Sequence, residues 1–116
     1  MDAAPKRILI ADDEPDILEI VSYNLQNEGF EVYTAKNGDE AIERAKLLHP
    51  DLIILDIMMP KKTGVEVCNI LRSQSLFQDT IIIFLTALSD EESHMGVRTG
   101  QPDPDPANQR PLVYAR

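Results

Sequence analysis

Residues 51–56 read Asp-Leu-Ile-Ile-Leu-Asp, four apolar side chains in a row with a carboxylate at each end. A strand with one wet face alternates apolar and polar residues. A run that is apolar at every position belongs to a strand covered on both faces. Residues 80–85 (Thr-Ile-Ile-Ile-Phe-Leu) and 7–11 (Arg-Ile-Leu-Ile-Ala) read the same way, and 31–35 (Glu-Val-Tyr-Thr-Ala) reads as a further strand. Helical spacing fills the intervals. Pro15 suits a first helical turn, Ile17, Ile20, Val21 and Leu25 recur on one face, and Gly29 falls just past the end. Asn37-Gly38 signals a turn before a helix over about Asp39–Leu48, stopped by Pro50. A loop over Ile57–Thr63, with Pro60 inside it, leads to a helix from Gly64 to about Ser73. Ser89 opens one more helix, with Asp90, Glu91 and Glu92 in its first turn and Gly100 at its end. The order β-α-β-α-β-α-β-α predicts an α/β fold, a doubly wound parallel sheet of order 2-1-3-4 between two helical layers, with right-handed crossovers.

The 116 residues allow one domain, and a 43% apolar content supplies a core. No stretch of 18 apolar residues is present, which argues against a membrane span, and no basic-then-apolar leader is evident. The lone Cys68 excludes an internal disulfide and suits a reducing compartment. A net charge of −9 argues against a direct nucleic-acid surface.

Part of that acidity is concentrated. In a parallel sheet, ligands bind beyond the carboxyl ends of the strands. Asp12 and Asp13 follow the first strand and Asp56 ends the third, its neighbour in the predicted order. Three converging carboxylates repel one another unless a pKa rises or a cation binds. An all-oxygen donor set suits a hard ion such as Mg²⁺. Thr86, after the fourth strand, offers a hydroxyl to the same place, with the small Ala87 beside it. Each feature has a plainer reading alone: Asp-Asp-Glu-Pro is a good acidic helix cap, and Asp56 or Thr86 simply ends a strand. Their conjunction carries the chemistry. His49 and His94 lack partners for metal ligation and read as surface residues. Cys68 reads as core with Leu71, Met58-Met59 as loop packing, and Lys61-Lys62 as a solvated pair.

The segments Ile-Leu-Ile-Ala-Asp-Asp-Glu-Pro-Asp-Ile (8–17), Asp-Leu-Ile-Ile-Leu-Asp-Ile-Met-Met-Pro-Lys-Lys-Thr-Gly (51–64) and Ile-Ile-Ile-Phe-Leu-Thr-Ala (81–87) resemble three signatures of bacterial response-regulator receiver domains, over about Lys6–Gly100. The resemblance implies a flavodoxin-like fold and a cytoplasmic signalling module in a two-component phosphorelay. It implies Asp56 as phosphoacceptor and Asp13 as a direct Mg²⁺ ligand, with Asp12 acting through water. The Met58 backbone carbonyl would be a further ligand and Thr86 the switch hydroxyl. Pro60 and Gly64 would shape the loop over the site. The partner would be a sensor histidine kinase or phosphotransfer protein docking near the first helix, and the module would act only on itself, not as an enzyme on separate substrates.

The likeness stops after Gly100. Residues 101–116 hold four of the eight prolines, and Pro-x-Pro-x-Pro reads as extended coil. Leu112–Ala115 allows one very short strand. The family's fifth strand, Lys-Pro pair and fifth helix are missing. The Lys slot falls near Ala107, the aromatic slot near Pro104, and no Lys follows Lys62. Arg110 or Arg116 is a poor substitute, because a planar fork is not a compact point charge. The expectation is an incomplete receiver over 1–100 and an atypical tail over 101–116. The fourth strand would then be an apolar edge open to self-association. Two other functions stay in play: a degenerate receiver that does not switch and serves as a binding or dimerisation module, and a metal-dependent phosphohydrolase using Asp56. The second lacks a visible substrate cap or basic clamp.

Overall fold

The computed structural model describes residues 4–85 and the backbone of 112–115. Strand β1 spans Arg7–Ala11, helix α1 Pro15–Asn27, β2 Glu31–Ala35, α2 Gly38–Leu48, β3 Leu52–Asp56, α3 Gly64–Arg72, β4 Ile81–Leu85 and β5 Leu112–Ala115, with a 3₁₀ turn at Ser75–Phe77 before β4. The sheet order is β2-β1-β3-β4-β5. The first four strands pair in parallel, in the predicted order. Ile8 lies opposite Leu52 and Ala11 opposite Leu55, so the carboxyl ends of β1 and β3 finish side by side.

Strands β1 and β3 are buried as their apolar runs predict, whereas β4, whose run reads the same way, is buried only at Ile82 and Leu85 and leaves Ile81 45% exposed, because it lies toward the edge of the sheet. Ile8–Ala11 and Ile53–Asp56 are buried at every position. One sheet face carries Leu9, Ile53, Leu55 and Ile82 against Ala41 and Ala45 of α2 and Val67, Cys68 and Leu71 of α3. The other carries Ile8, Ile10, Ile54 and Leu85 against Leu18 of α1. Each fully buried Ile or Leu contributes about 1.5–3 kcal/mol. Cys68 is core, as its spacing implied.

Helix ends follow local chemistry. Asn37 accepts a hydrogen bond from Glu40 N at 2.8 Å and caps α2, and His49 takes the left-handed conformation (φ 51°) at its far end. Thr63 and Glu66 form a reciprocal capping box on α3, whose Thr-x-x-Glu spacing is itself a signal in the sequence for where the helix begins. Gly29 has φ 96° just past α1, where glycine carries no steric penalty.

Two expectations need correcting. On α1 the buried residue is Leu18, while Ile20 is 57% exposed. The inward stripe runs through Ile17, Leu18, Val21 and Leu25, because the helix is rotated relative to the stripe drawn through Ile20. The second correction concerns the fourth strand, which is not a bare edge. The very short strand at Leu112–Ala115 forms and pairs antiparallel with β4, Leu85 opposite Leu112 and Ile82 opposite Ala115. Four residues from the tail satisfy backbone groups that would otherwise template another chain, so edge-to-edge association through β4 does not follow. Phe77, buried in the 3₁₀ turn, is a core residue that no periodic pattern announced. The helix expected after Ser89, the expected switch residue Thr86, and His94, Arg110 and Arg116 lie outside the described residues. No helix among the described residues is long and apolar enough to cross a membrane.

Candidate functional site

The backbone ladder continues past β1: Asp12 N donates to Ala35 O at 3.1 Å. This fixes Asp12 at the end of the sheet, fully buried. Its Oδ1 accepts from Glu14 N at 2.9 Å, turning the chain toward α1. The residue at the N-cap of α1 is Glu14, which makes no side-chain cap bond. The Asp-Asp-Glu-Pro run is therefore a turn held by Asp12 rather than an acidic cap. Asp13 is exposed at the mouth, and Asp56, the last residue of β3, is 4% exposed. The three carboxylates each offer an oxygen, and these atoms lie within 4.8 Å of one another.

Two buried carboxylates and one exposed one at this separation repel strongly if all are ionised, because burial weakens the screening between them. A hard divalent cation resolves the conflict. The donor set fits Mg²⁺, which binds through a few carboxylates and keeps waters on its open side. The exposed Asp13 leaves such a side. The residues present thus fit the ion that the sequence implied.

The loop between β3 and α3 carries Met58, whose side chain is 72% exposed, and Met59, which is buried. Of the Met58-Met59 pair, Met59 is the one that packs. Gly64 N donates to Ile57 O at 2.8 Å and closes the loop. A Cβ on Gly64 would come closer than 3.0 Å to the Asp56 carbonyl oxygen, so only glycine lets α3 start this near the end of β3. Lys61 has φ 74°, and Lys62 N donates to Pro60 O at 2.9 Å, a tight γ-turn.

This turn is tied to α2. Gly38 N donates to Pro60 O at 3.2 Å, and Lys62 Nζ reaches Asp39 Oδ1 at 2.9 Å. The Asp39 carboxylate holds the Lys62 ammonium above its usual pKa. The expectation that Lys61-Lys62 is merely solvated therefore holds for Lys61, which is exposed, and fails for Lys62. No motif marks a pairing of residues 23 apart. Burial pushes the Cys68 thiol up and takes it away from nucleophilic work. His49 is exposed at the opposite end of α2.

The sequence matches the response regulator receiver domain family over residues 8–100. It is 43% identical over 99 residues to the alkaline phosphatase synthesis transcriptional regulatory protein PhoP of Bacillus subtilis, covering 84% of this chain and 40% of that protein. The chain thus spans about two fifths of this curated relative. Among solved structures, the response regulator TrrA of Thermotoga maritima, in complex with Mg²⁺ and BeF, superposes with a TM-score of 0.67 at 42% identity, covering 84% of this chain and 82% of that one. The complex of the histidine kinase ThkA with TrrA gives a TM-score of 0.66 at 46% identity, covering 76% of this chain and 78% of that one. With the parallel sheet and the carboxylate cluster in place, these matches settle the family: the chain belongs to the response regulator receiver domains of two-component systems.

Proposed function

We propose that this chain accepts a phosphoryl group on Asp56, in a Mg²⁺-dependent reaction, from a sensor histidine kinase or phosphotransfer protein. The observation that carries this reading is the meeting of Asp12, Asp13 and Asp56, with carboxylate oxygens within 4.8 Å. TrrA's capture with Mg²⁺ and BeF, and with the kinase ThkA, supports the choice of ion and partner. Asp12, Asp13, Asp56 and the Met58 backbone carbonyl would hold Mg²⁺, which when bound neutralises the carboxylates and the charge on the transferring oxygens.

An Asp56 carboxylate oxygen attacks phosphorus. The O–P bond forms as the P–N bond to the donor histidine breaks, and the imidazole leaves with the electron pair and takes up a proton. Water later cleaves the acyl phosphate, returning the Asp56 carboxylate and inorganic phosphate. Asp12, tied to Glu14 N and Ala35 O, keeps its carboxylate in place without rearrangement during transfer. Thr86 donates its hydroxyl to a phosphoryl oxygen and registers the change. The receiver unit ends near Gly100, where the family match stops, and residues 101–116 form an atypical tail. The reaction belongs to the cytoplasm, where Cys68 stays reduced.

One observation favours a second reading, a receiver that does not switch: no Lys follows Lys62, so the family's lysine beside the phosphoryl group has no counterpart. Intact mass after incubation with Mg²⁺ and acetyl phosphate separates the two. A gain of one phosphoryl group that Asp56→Ala lacks is the expected result. A folded, Mg²⁺-binding chain that gains no mass would overturn phosphoacceptance and leave the non-switching module.

A further inference from the structure

The first turn of α2 grips the β3–α3 loop at three points. Gly38 N donates to Pro60 O at 3.2 Å. Asp39 pairs with Lys62 Nζ at 2.9 Å. The bare Cα of Gly38 seats on Lys62, where an added Cβ would lie closer than 3.0 Å to that residue's carbonyl. The helix turn is itself rigid, because Asn37 caps it through Glu40 N and Glu40 Oε1 reaches back to Lys36 N at 2.6 Å. The loop it grips needs support, since Lys61 sits at φ 74°, a conformation that L-residues with side chains disfavour.

We propose that Asp39 and Lys62, with Gly38, are positioning residues that hold the 57–63 loop beside Asp56 and thereby set the divalent-cation affinity of the carboxylate pocket. The proposal rests on the reading of that pocket as a Mg²⁺ site with a backbone ligand in the loop. Neither side chain touches the ion. They act as outer partners do, by removing the freedom of a ligand that would otherwise have to be ordered on binding. Asp39 is 55% and Lys62 37% exposed, so the pair contributes little to global stability. Loop order and fold stability can therefore be separated experimentally.

Charge alone and clamping make opposite predictions for Lys62. Removing a cation near an acidic pocket by Lys62→Gln should tighten Mg²⁺ by electrostatics and weaken it if the clamp matters. Asp39→Asn weakens it either way. The test is Mg²⁺ titration by calorimetry on the full chain, for wild type, Asp39→Asn, Lys62→Gln and the double variant, with Asp13→Asn as pocket control. Hydrogen exchange of residues 57–63 in metal-free protein is followed alongside. The expected result is a loss of roughly tenfold in affinity for each single variant, the low end for outer partners of metal ligands. The double variant should be no worse than either single one, loop exchange should be faster, and melting temperatures should hardly change. Unchanged or tighter Mg²⁺ binding in Lys62→Gln, with an Asp13-dependent wild-type signal, overturns the clamp alone. No Asp13-dependent Mg²⁺ binding in wild type overturns the pocket reading and the clamp with it.

Discussion

Gly64 opens α3 directly against the carbonyl of Asp56, and the space there leaves no room for a methyl group. Gly64→Ala should push the loop off the end of β3. Overpacking of this kind costs about 1–3 kcal/mol, and acetyl-phosphate labelling should slow with it. Gly29→Ala is the contrast. It meets nothing within 4 Å but forces alanine to φ 96°, a strain of about 1–2 kcal/mol, far from the pocket. Urea unfolding and labelling rate, measured on both, should show two destabilised proteins and one slowed reaction. Equal labelling in both would mean that the Gly64 contact does not govern the reactivity of the carboxylate pocket. Asp12, Asp13 and Asp56 were legible as a set because each closes or follows an apolar strand. Lys62 was not, because its partner Asp39 comes from another element and no local spacing links them.

At the scale of elements, the pairing of β4 with β5 decides how the sheet ends. β4 carries Ile82, Phe84 and Leu85 in the cores, and its outer edge is covered by Leu112–Ala115 alone among the described residues. Deleting residues 112–116 should uncover that edge and raise the associated fraction in light scattering at increasing concentration. A truncated chain that keeps the mass of the full one would show the edge to be inert. β1 and β2 were readable to the residue, and β3, β4 and α3 to within one residue at their ends, because burial imposes a period on sequence. The 3₁₀ turn before β4 has no such period and went unread.

For the whole molecule, the two sheet faces are covered unequally by the described helices, α2 and α3 on one and α1 on the other. Ligand binding to the folded state is then a direct gain in stability. Mg²⁺ at 100 times its dissociation constant should add about 2.7 kcal/mol by mass action, read as a rise in melting temperature. Asp13→Asn should lose most of that rise while staying folded, since Asp13 is exposed and outside the core. A rise of equal size in the variant would place the bound ion elsewhere on a chain of net charge −9.

Period and run length, taken from the residues alone, were enough for the parallel β-α order, the burial of β1 and β3 on both faces, and three aspartates at the carboxyl ends of neighbouring strands. These are local signals, because a side chain's burial depends on the face its own element presents. The inward turn of Leu18 instead of Ile20, the placing of Phe77, the tail strand on β4, and the grip of Gly38 and Asp39 on Lys62 came only with the tertiary structure. Each depends on which distant segments meet and at what angle. Chain entropy and packing settle that together over the whole fold, and no short stretch of sequence carries it.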